Sequence, residues 1–232
     1  MTNFRALYHP ISKLCFILVL NILVLGCNNE RVLELPEIKN TDITEVLDVS
    51  PAYIFYDETQ PDSTLFNRKN LIGTTNWLVN VDKRLTLRQA IPHIQYLQEK
   101  RKKKSMHKNE GAKNYFTCND KSIGNLGFIE FTNVDFGNAD DNLVDSDSLC
   151  FMNIKDLENI TFSTSIDTKI KFSRENLISV YNNFIKQEYG DSVKILLNFN
   201  KNLNFQDYIS IKSELSKLNR KEIIISPIEF IY

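Results

Sequence analysis

Reactive and metal-binding side chains are scarce in this 232-residue sequence. The three histidines and four cysteines show no zinc-ligand spacing, and His93 and His107 have no partner pattern for a metal or a catalytic triad. No G-x-S-x-G elbow, Walker A loop or dinucleotide fingerprint occurs, so Gly124 and Gly127 read as turn residues rather than a phosphate cradle. A surplus of positive charge is also missing. With a formal net charge of -1 and a pI near 6.3, the chain lacks the basic surface that a general nucleic-acid binder needs to displace counterions. Seven glycines and six prolines exclude a collagen-like or linker-dominated composition. The acidic run "DFGNADDNLVDSD" (135–147) lacks the spaced ligands and central glycine of a calcium loop. No catalytic residue, metal or cofactor is therefore expected. An apolar share of 42% and a charged share of 25% are those of a globular chain, long enough for one large domain or two small ones.

The amino terminus is different. Residues 1–26 carry Arg5 and Lys13 and no acidic residue, and Leu14 to Leu25 is apolar apart from Asn21. That run is short for a bilayer span, which takes roughly 20 apolar residues, and fits the h-region of a signal peptide. Val24-Leu25-Gly26-Cys27 resembles a lipobox, the bacterial signal in which a small residue precedes a cysteine. The resemblance implies a diacylglyceryl group on the Cys27 thiol, cleavage before Cys27, and acylation of the new amino terminus. An uncleaved helix and a plain secretory signal are the alternatives. Asn28 is not the aspartate associated with inner-membrane retention in enterobacterial-type sorting, so the expected location is the outer membrane, with the body in the periplasm or at the cell surface. Lipidation of Cys27 leaves Cys118 and Cys150 as a pair in an oxidising compartment, either joined as a disulfide or buried as two separate thiols.

Four segments are expected: a signal peptide (1–26), a tether (27–50), a first α+β unit (51–150) and a second (151–232). In the first, "AYIFYD" (52–57) reads as a strand and "LGFIEFTNVDF" (126–136) as another. "LVNVDKRLTLRQAIPHIQYLQEKRKK" (78–103) aligns without gaps on "LLNFNKNLNFQDYISIKSELSKLNRK" (196–221), with identities at Asn80/Asn198, Lys83/Lys201, Leu85/Leu203, Ile91/Ile209 and Leu97/Leu215. Each copy reads as a buried strand, a polar turn and a helix. Thr86 and Asn204 are N-cap residues, with Gln89 and Asp207 three positions on. Leu87, Ala90, Ile91, Ile94 and Leu97 make one helix stripe; Phe205, Tyr208, Ile209, Leu215 and Leu218 make the other. Pro92 falls in the second turn of the first helix and predicts a late start or a kink. In the second half, "ITFST" and "KIKFS" predict a hairpin, Ser173 caps a further helix with a Leu177, Ile178, Tyr181, Phe184, Ile185 stripe, and 222–232 is a last strand. The fold class that follows is α+β: two related strand-helix-strand units with helices packed on one face of mixed sheets.

At "VKILLNFNKNLNFQDYISIKSELSKLNRKEIIISP" (193–227) the chain resembles the periplasmic domain of the ExbD/TolR biopolymer-transport family. Asn198-Phe199-Asn200-Lys201 stands at that family's strand-end turn and Phe205-Gln206-Asp207-Tyr208 at its aromatic-centred helix start. The likeness covers about 168–232, with a weaker echo at 73–136. It implies a periplasmic module, a homodimer, and in some members peptidoglycan binding. Ion-driven motor action in that family needs an aspartate within a transmembrane helix, and the only apolar run here has none. The expected function is a membrane-anchored, non-enzymatic binding or scaffolding lipoprotein for a protein or cell-wall partner. The alternative is an accessory envelope hydrolase using a carboxylate pair.

Overall fold

Among the described residues strands outnumber helices, and alternation sets which face of a strand is buried. In β2 (Val49–Tyr56), Ala52 and Ile54 are fully buried, while Tyr53 and Phe55 on the opposite face are half-buried. The computed structural model describes residues 31–103, 109–138, 149–164, 169–185, 194–218 and 224–232. The signal peptide, the lipobox and Cys27 lie outside the described residues. Leu33 to Tyr232 forms one compact unit.

The unit is α+β, with two mixed six-stranded sheets. The first holds β1 (Glu37–Ile38), β2, β3 (Thr64–Asn67), β4 (Asn76–Val81), β5 (Asn114–Asp120) and β6 (Asn125–Glu130). The second holds β7 (Asp135–Asn138), β8 (Leu149–Asp156), β9 (Asn159–Thr164), β10 (Lys169–Phe172), β11 (Lys194–Phe199) and β12 (Ile224–Ile231). Helix α1 (Leu87–Lys102) follows β4, and helix α3 (Phe205–Ser216) follows β11. Between β10 and β11 lies a short irregular helix: a 3₁₀ turn (Arg174–Asn176), α2 (Leu177–Val180) and a wide turn (Tyr181–Ile185).

The repeat seen in the sequence is a repeat of architecture. The shift that takes β4 onto β11, bound for bound, also takes the first residue of α1 onto that of α3. Around these elements the strand order is β5-β4-β2-β3 in one sheet and β12-β11-β8-β9 in the other. In each, the first three strands are parallel and the fourth antiparallel. Parallel neighbours need a crossover, and α1 and α3 supply it. The N-caps form as expected. Gln89 Oε1 accepts the Thr86 backbone N–H at 2.8 Å, and Asn204 Oδ1 accepts that of Asp207 at 2.7 Å.

The two halves meet through these caps. Thr86 and Asn204 form an antiparallel bridge, and the bonds flanking it are reciprocal. Leu87 N–H donates to Leu203 O (2.8 Å) and Phe205 N–H to Leu85 O (2.7 Å); Arg88 N–H donates to Lys201 O (2.9 Å) and Gln206 N–H to Lys83 O (3.2 Å). Equivalent positions exchange bonds, the signature of a two-fold contact within one chain. Both helix stripes then feed one core. Phe116 of β5 stacks on Phe131 at 3.8 Å and meets the edges of Phe205 (5.2 Å) and Tyr208 (6.2 Å) of the other half.

Several expectations are corrected. The tether expected over 27–50 is, from Leu33 onward, part of the body: β1 pairs with the end of β5, and Ile43 bridges to Phe128. The strand expected over 126–136 is two strands, because β6 pairs with β5 while β7 crosses to pair with β12. The second sheet thus begins before residue 150. Helix α1 starts on time at Leu87 and runs through Pro92, which lies on its exposed face. The Ser173 hydroxyl accepts from the Asn176 side chain (3.3 Å) instead of a helix N–H, and the turn it opens is 3₁₀. Strands β3, β5 and β8 were not anticipated.

A shared core predicts shared unfolding. Phe116→Ala should cost about 3–5 kcal/mol. In urea, Trp77 fluorescence from the first half and far-UV circular dichroism from both should fall in one coincident transition. Two separated transitions would show that the halves are independent.

Candidate functional site

The most elaborated polar region lies where the chain enters the body. Asp82 directly follows β4, and its side chain is fully buried. Arg84 grips it with both arms, Nε to Oδ1 at 2.8 Å and Nη2 to Oδ2 at 2.7 Å. The backbone N–H groups of Arg84 (3.1 Å) and Glu34 (3.2 Å) add to the grip. Burial alone pushes the Asp82 carboxyl up, but these hydrogen bonds outweigh it and hold the group below its ordinary value. Arg84, raised in turn by Asp82, lies over the Tyr56 ring at 4.8 Å and reaches Glu34 at 3.2 Å. Around it Lys83 reaches Glu34 (3.4 Å) and Glu37 (3.6 Å), and Lys121 reaches Glu37 (3.3 Å). These outer pairs are partly exposed and contribute little each. Gln206 of α3 closes the arrangement: its amide accepts from Glu37 N–H (2.7 Å) and donates to Glu37 O (2.9 Å).

The β5–β6 hairpin forms the opposite wall. Asp120, fully buried, accepts from Thr41 N–H (2.8 Å), Ser122 N–H (2.8 Å) and the Ser122 hydroxyl (2.5 Å). Burial raises its carboxyl and these bonds pull it below the usual range. Gly124 turns the hairpin at φ +63°, a conformation that favours glycine. Gly127 is required for closeness: a Cβ there would stand 2.6 Å from Thr41 Cγ2. Between the walls is a depression of about 500 Å³ lined by Leu33, Glu34, Leu35, Glu37, Lys83, Asn119 and Gly124 to Leu126.

From that depression the face of the first sheet turned away from the core continues in registered rows. One row is Asn119–Leu126; further along the same face are the rows Thr117–Phe128 on β5 and β6 and Asn67–Tyr53–Asn80 on β3, β2 and β4. Tyr53 and Phe55 stack with centroids 5.7 Å apart, and Tyr115 and Phe128 stand on the same face. None of these four belongs to the shared core. Asn80 donates to Ala52 O (3.0 Å). The Thr117 hydroxyl on the same face is buried without a hydrogen-bond partner, an unusual expense for a polar group. The second sheet repeats the theme: Asn198 donates to Asn153 Oδ1 (2.7 Å) next to an apolar group of Leu196, Phe230 and Phe151. The signal in the sequence was the pair Leu78-x-Asn80 and Leu196-x-Asn198, a polar residue repeated inside two apolar strands.

The other residues singled out in the sequence have structural surroundings. Cys118 (β5) and Cys150 (β8) are buried in different sheets and are not joined to each other, and burial pushes the Cys118 thiol far up. His93 packs on Phe66 at 4.8 Å, and burial lowers its basicity. In the basic run, Arg101 stacks on the buried Trp77 ring at 3.9 Å and donates to Asn114 Oδ1 (2.6 Å), while Lys102 pairs with Asp135 (2.6 Å). Residues 104–108 and 139–148 lie outside the described residues. Glu229 of β12, also buried, accepts from the Tyr208 hydroxyl (2.8 Å) and from Lys212 Nζ. Among the described residues no group of three His, Cys, Asp or Glu could hold a metal, and no helix is long and apolar enough to cross a membrane. The last strand, β12, is flanked by β11 and β7 over Ile228–Ile231, so its edge is not open there. No protein-family model, curated protein or solved structure matches this chain.

The two depressed carboxylates predict that acid destabilises the fold. Asp82 and Asp120 add stability above their unfolded value of about 3.9, and that stability is lost as the pH falls through their lower folded values. Asp82→Asn should cost about 1–3 kcal/mol at neutral pH and flatten the acid limb of a stability-versus-pH curve. An unchanged acid limb would assign the lability to other groups.

Proposed function

We propose that the protein is a bacterial envelope lipoprotein, anchored through lipid on Cys27, whose body is a non-enzymatic binding or scaffolding module. The observation that carries the second part is how the buried charge is used. Asp82, Asp120 and Glu229 are each held by donors of their own chain, which spends these carboxylates on holding the fold. What is left for a partner is a surface: the 500 Å³ depression and the aromatic sheet face that runs from it. Such a surface suits a protein or cell-wall partner, taken by ring contacts and by the amides of Asn119 and Asn125. The anchor rests on the lipobox and the apolar run before it. The ExbD/TolR-like reading of 168–232 draws support from the order strand (Lys194–Phe199), helix (Phe205–Ser216), strand (Ile224–Ile231). Outer-membrane placement follows from Asn28.

Cys27→Ser should abolish lipid labelling and move the protein out of the membrane fraction; unchanged retention would discard the anchor. Crosslinking and pull-down from intact envelopes should return a partner that is lost when Tyr53 and Phe55 are both changed to Ser. A partner retained by that variant would move the binding surface elsewhere.

A second reading, an accessory hydrolase, is favoured by one pair at the start of α3. Burial raises the half-buried Asp207 carboxyl against Arg174 and Asn204, and the charge of Asp156 raises it further. Asp156 itself is held down by the Asn159 amide at 2.7 Å. Two carboxyls driven apart in acidity are the pattern of an acid and a base. Hydrolysis of purified peptidoglycan by the wild type and its loss in Asp207→Asn would support this reading; no hydrolysis by the wild type removes it.

A further inference from the structure

The β5–β6 hairpin stands beside the point where the chain enters the body, because Leu33 and Leu35 line the same depression as Gly124, Asn125 and Leu126. Its tip is apolar and open: Ile123 is 50% exposed and Leu126 41% exposed, on either side of Gly124 and Asn125. Lys121 flanks the tip and Lys39, also exposed, follows β1. Nothing in the hairpin itself requires apolar side chains there. The turn is made by Gly124 and by Asp120, which the Ser122 backbone and hydroxyl hold.

The length of chain ahead of Leu33 decides what this tip meets. Asn28 to Val32 are the only residues between Cys27 and Leu33. A chain extends by at most about 3.3–3.6 Å per residue, so this stretch can span no more than about 20 Å in any conformation. That is less than the thickness of a bilayer's hydrocarbon core. The 23-residue spacer suggested by the sequence from 28 to 50 does not exist, since Leu33 onward is body. A lipid on Cys27 therefore brings the hairpin to the membrane surface.

We propose that the β5–β6 hairpin is a membrane-contact element: Ile123 and Leu126 enter the interfacial layer of the bilayer that holds the Cys27 lipid. The proposal rests on the lipoprotein reading above. One apolar tip is too small to bind membrane by itself and works as the second of two weak signals, in which acyl chains hold the protein and the tip fixes its orientation. Lys121 and Lys39 lie at the level of anionic headgroups. The aromatic sheet face, which begins at the Asn119–Leu126 row, then starts at the membrane and leads away from it.

The test uses the full-length protein, processed and lipidated in a bacterial host, carrying Ile123→Cys labelled with an environment-sensitive nitrobenzoxadiazole dye. Cys118 and Cys150 are buried and leave the engineered thiol as the reactive one. The protein is reconstituted into vesicles of phosphatidylethanolamine and phosphatidylglycerol. Flotation with the vesicles, a blue-shifted dye, and quenching by lipids carrying a shallow nitroxide are expected. Flotation with a dye that emits as in water and escapes quenching would overturn the hairpin contact while leaving the lipid anchor standing. Failure to float would overturn the anchor and the contact together. A second label at exposed Thr74→Cys, just before β4 at the opposite end of the sheet, reports whether quenching is confined to the hairpin; equal quenching at both positions would also overturn the proposal.

Discussion

The bridge between Thr86 and Asn204 is the contact on which the remaining structure depends. Each residue is an N-cap, and each cap's flanking backbone groups bond to the equivalent turn of the other half. The first N–H groups of a helix have no partner within it, so every helix start must find acceptors elsewhere. Here the carbonyls of Leu85 and Leu203 serve each other's helices. Two sets of orphan donors are satisfied at once, and the two helices are brought close enough for Phe205 and Tyr208 to reach Phe116. The sheets then share a core that neither half could close alone.

An isologous contact of this kind is what two identical subunits would form. The chain carries both sides of it, with unequal decoration. Gln206 of α3 clamps β1, whereas on α1 it is Gln95 and Gln98 that donate to carbonyls of Phe136 and Val134 at β7. Each helix thus secures a strand belonging to the opposite sheet.

The same economy bears on the functional reading. Buried carboxylates in this fold are costly unless paired, and each is paired within the chain. Asp82 ties the β4–α1 turn to the entering segment, Asp120 ties the hairpin to Thr41, and Glu229 ties β12 to α3. The surfaces that remain are the depression and the aromatic sheet face, and the proposed binding role rests on them.

What the sequence by itself determined was local and periodic: the apolar run and its cysteine, the caps at Thr86 and Asn204, the helix stripes, and the repeat that relates 78–103 to 196–221. Those features depend on neighbours a few residues apart, which a sequence displays directly. Tertiary structure alone decided that β6 and β7, continuous in sequence, belong to different sheets, since strand pairing is a matter of distant partners. It also decided that 33–50 is body rather than tether. Short polar segments such as "LELPEIKNT" have no periodic signature, and distant groups, among them the carboxylates of Asp82 and Asp120, the amide of Gln206 and the edge of β5, hold them in place. The depression and the hairpin tip exist because those distant groups meet.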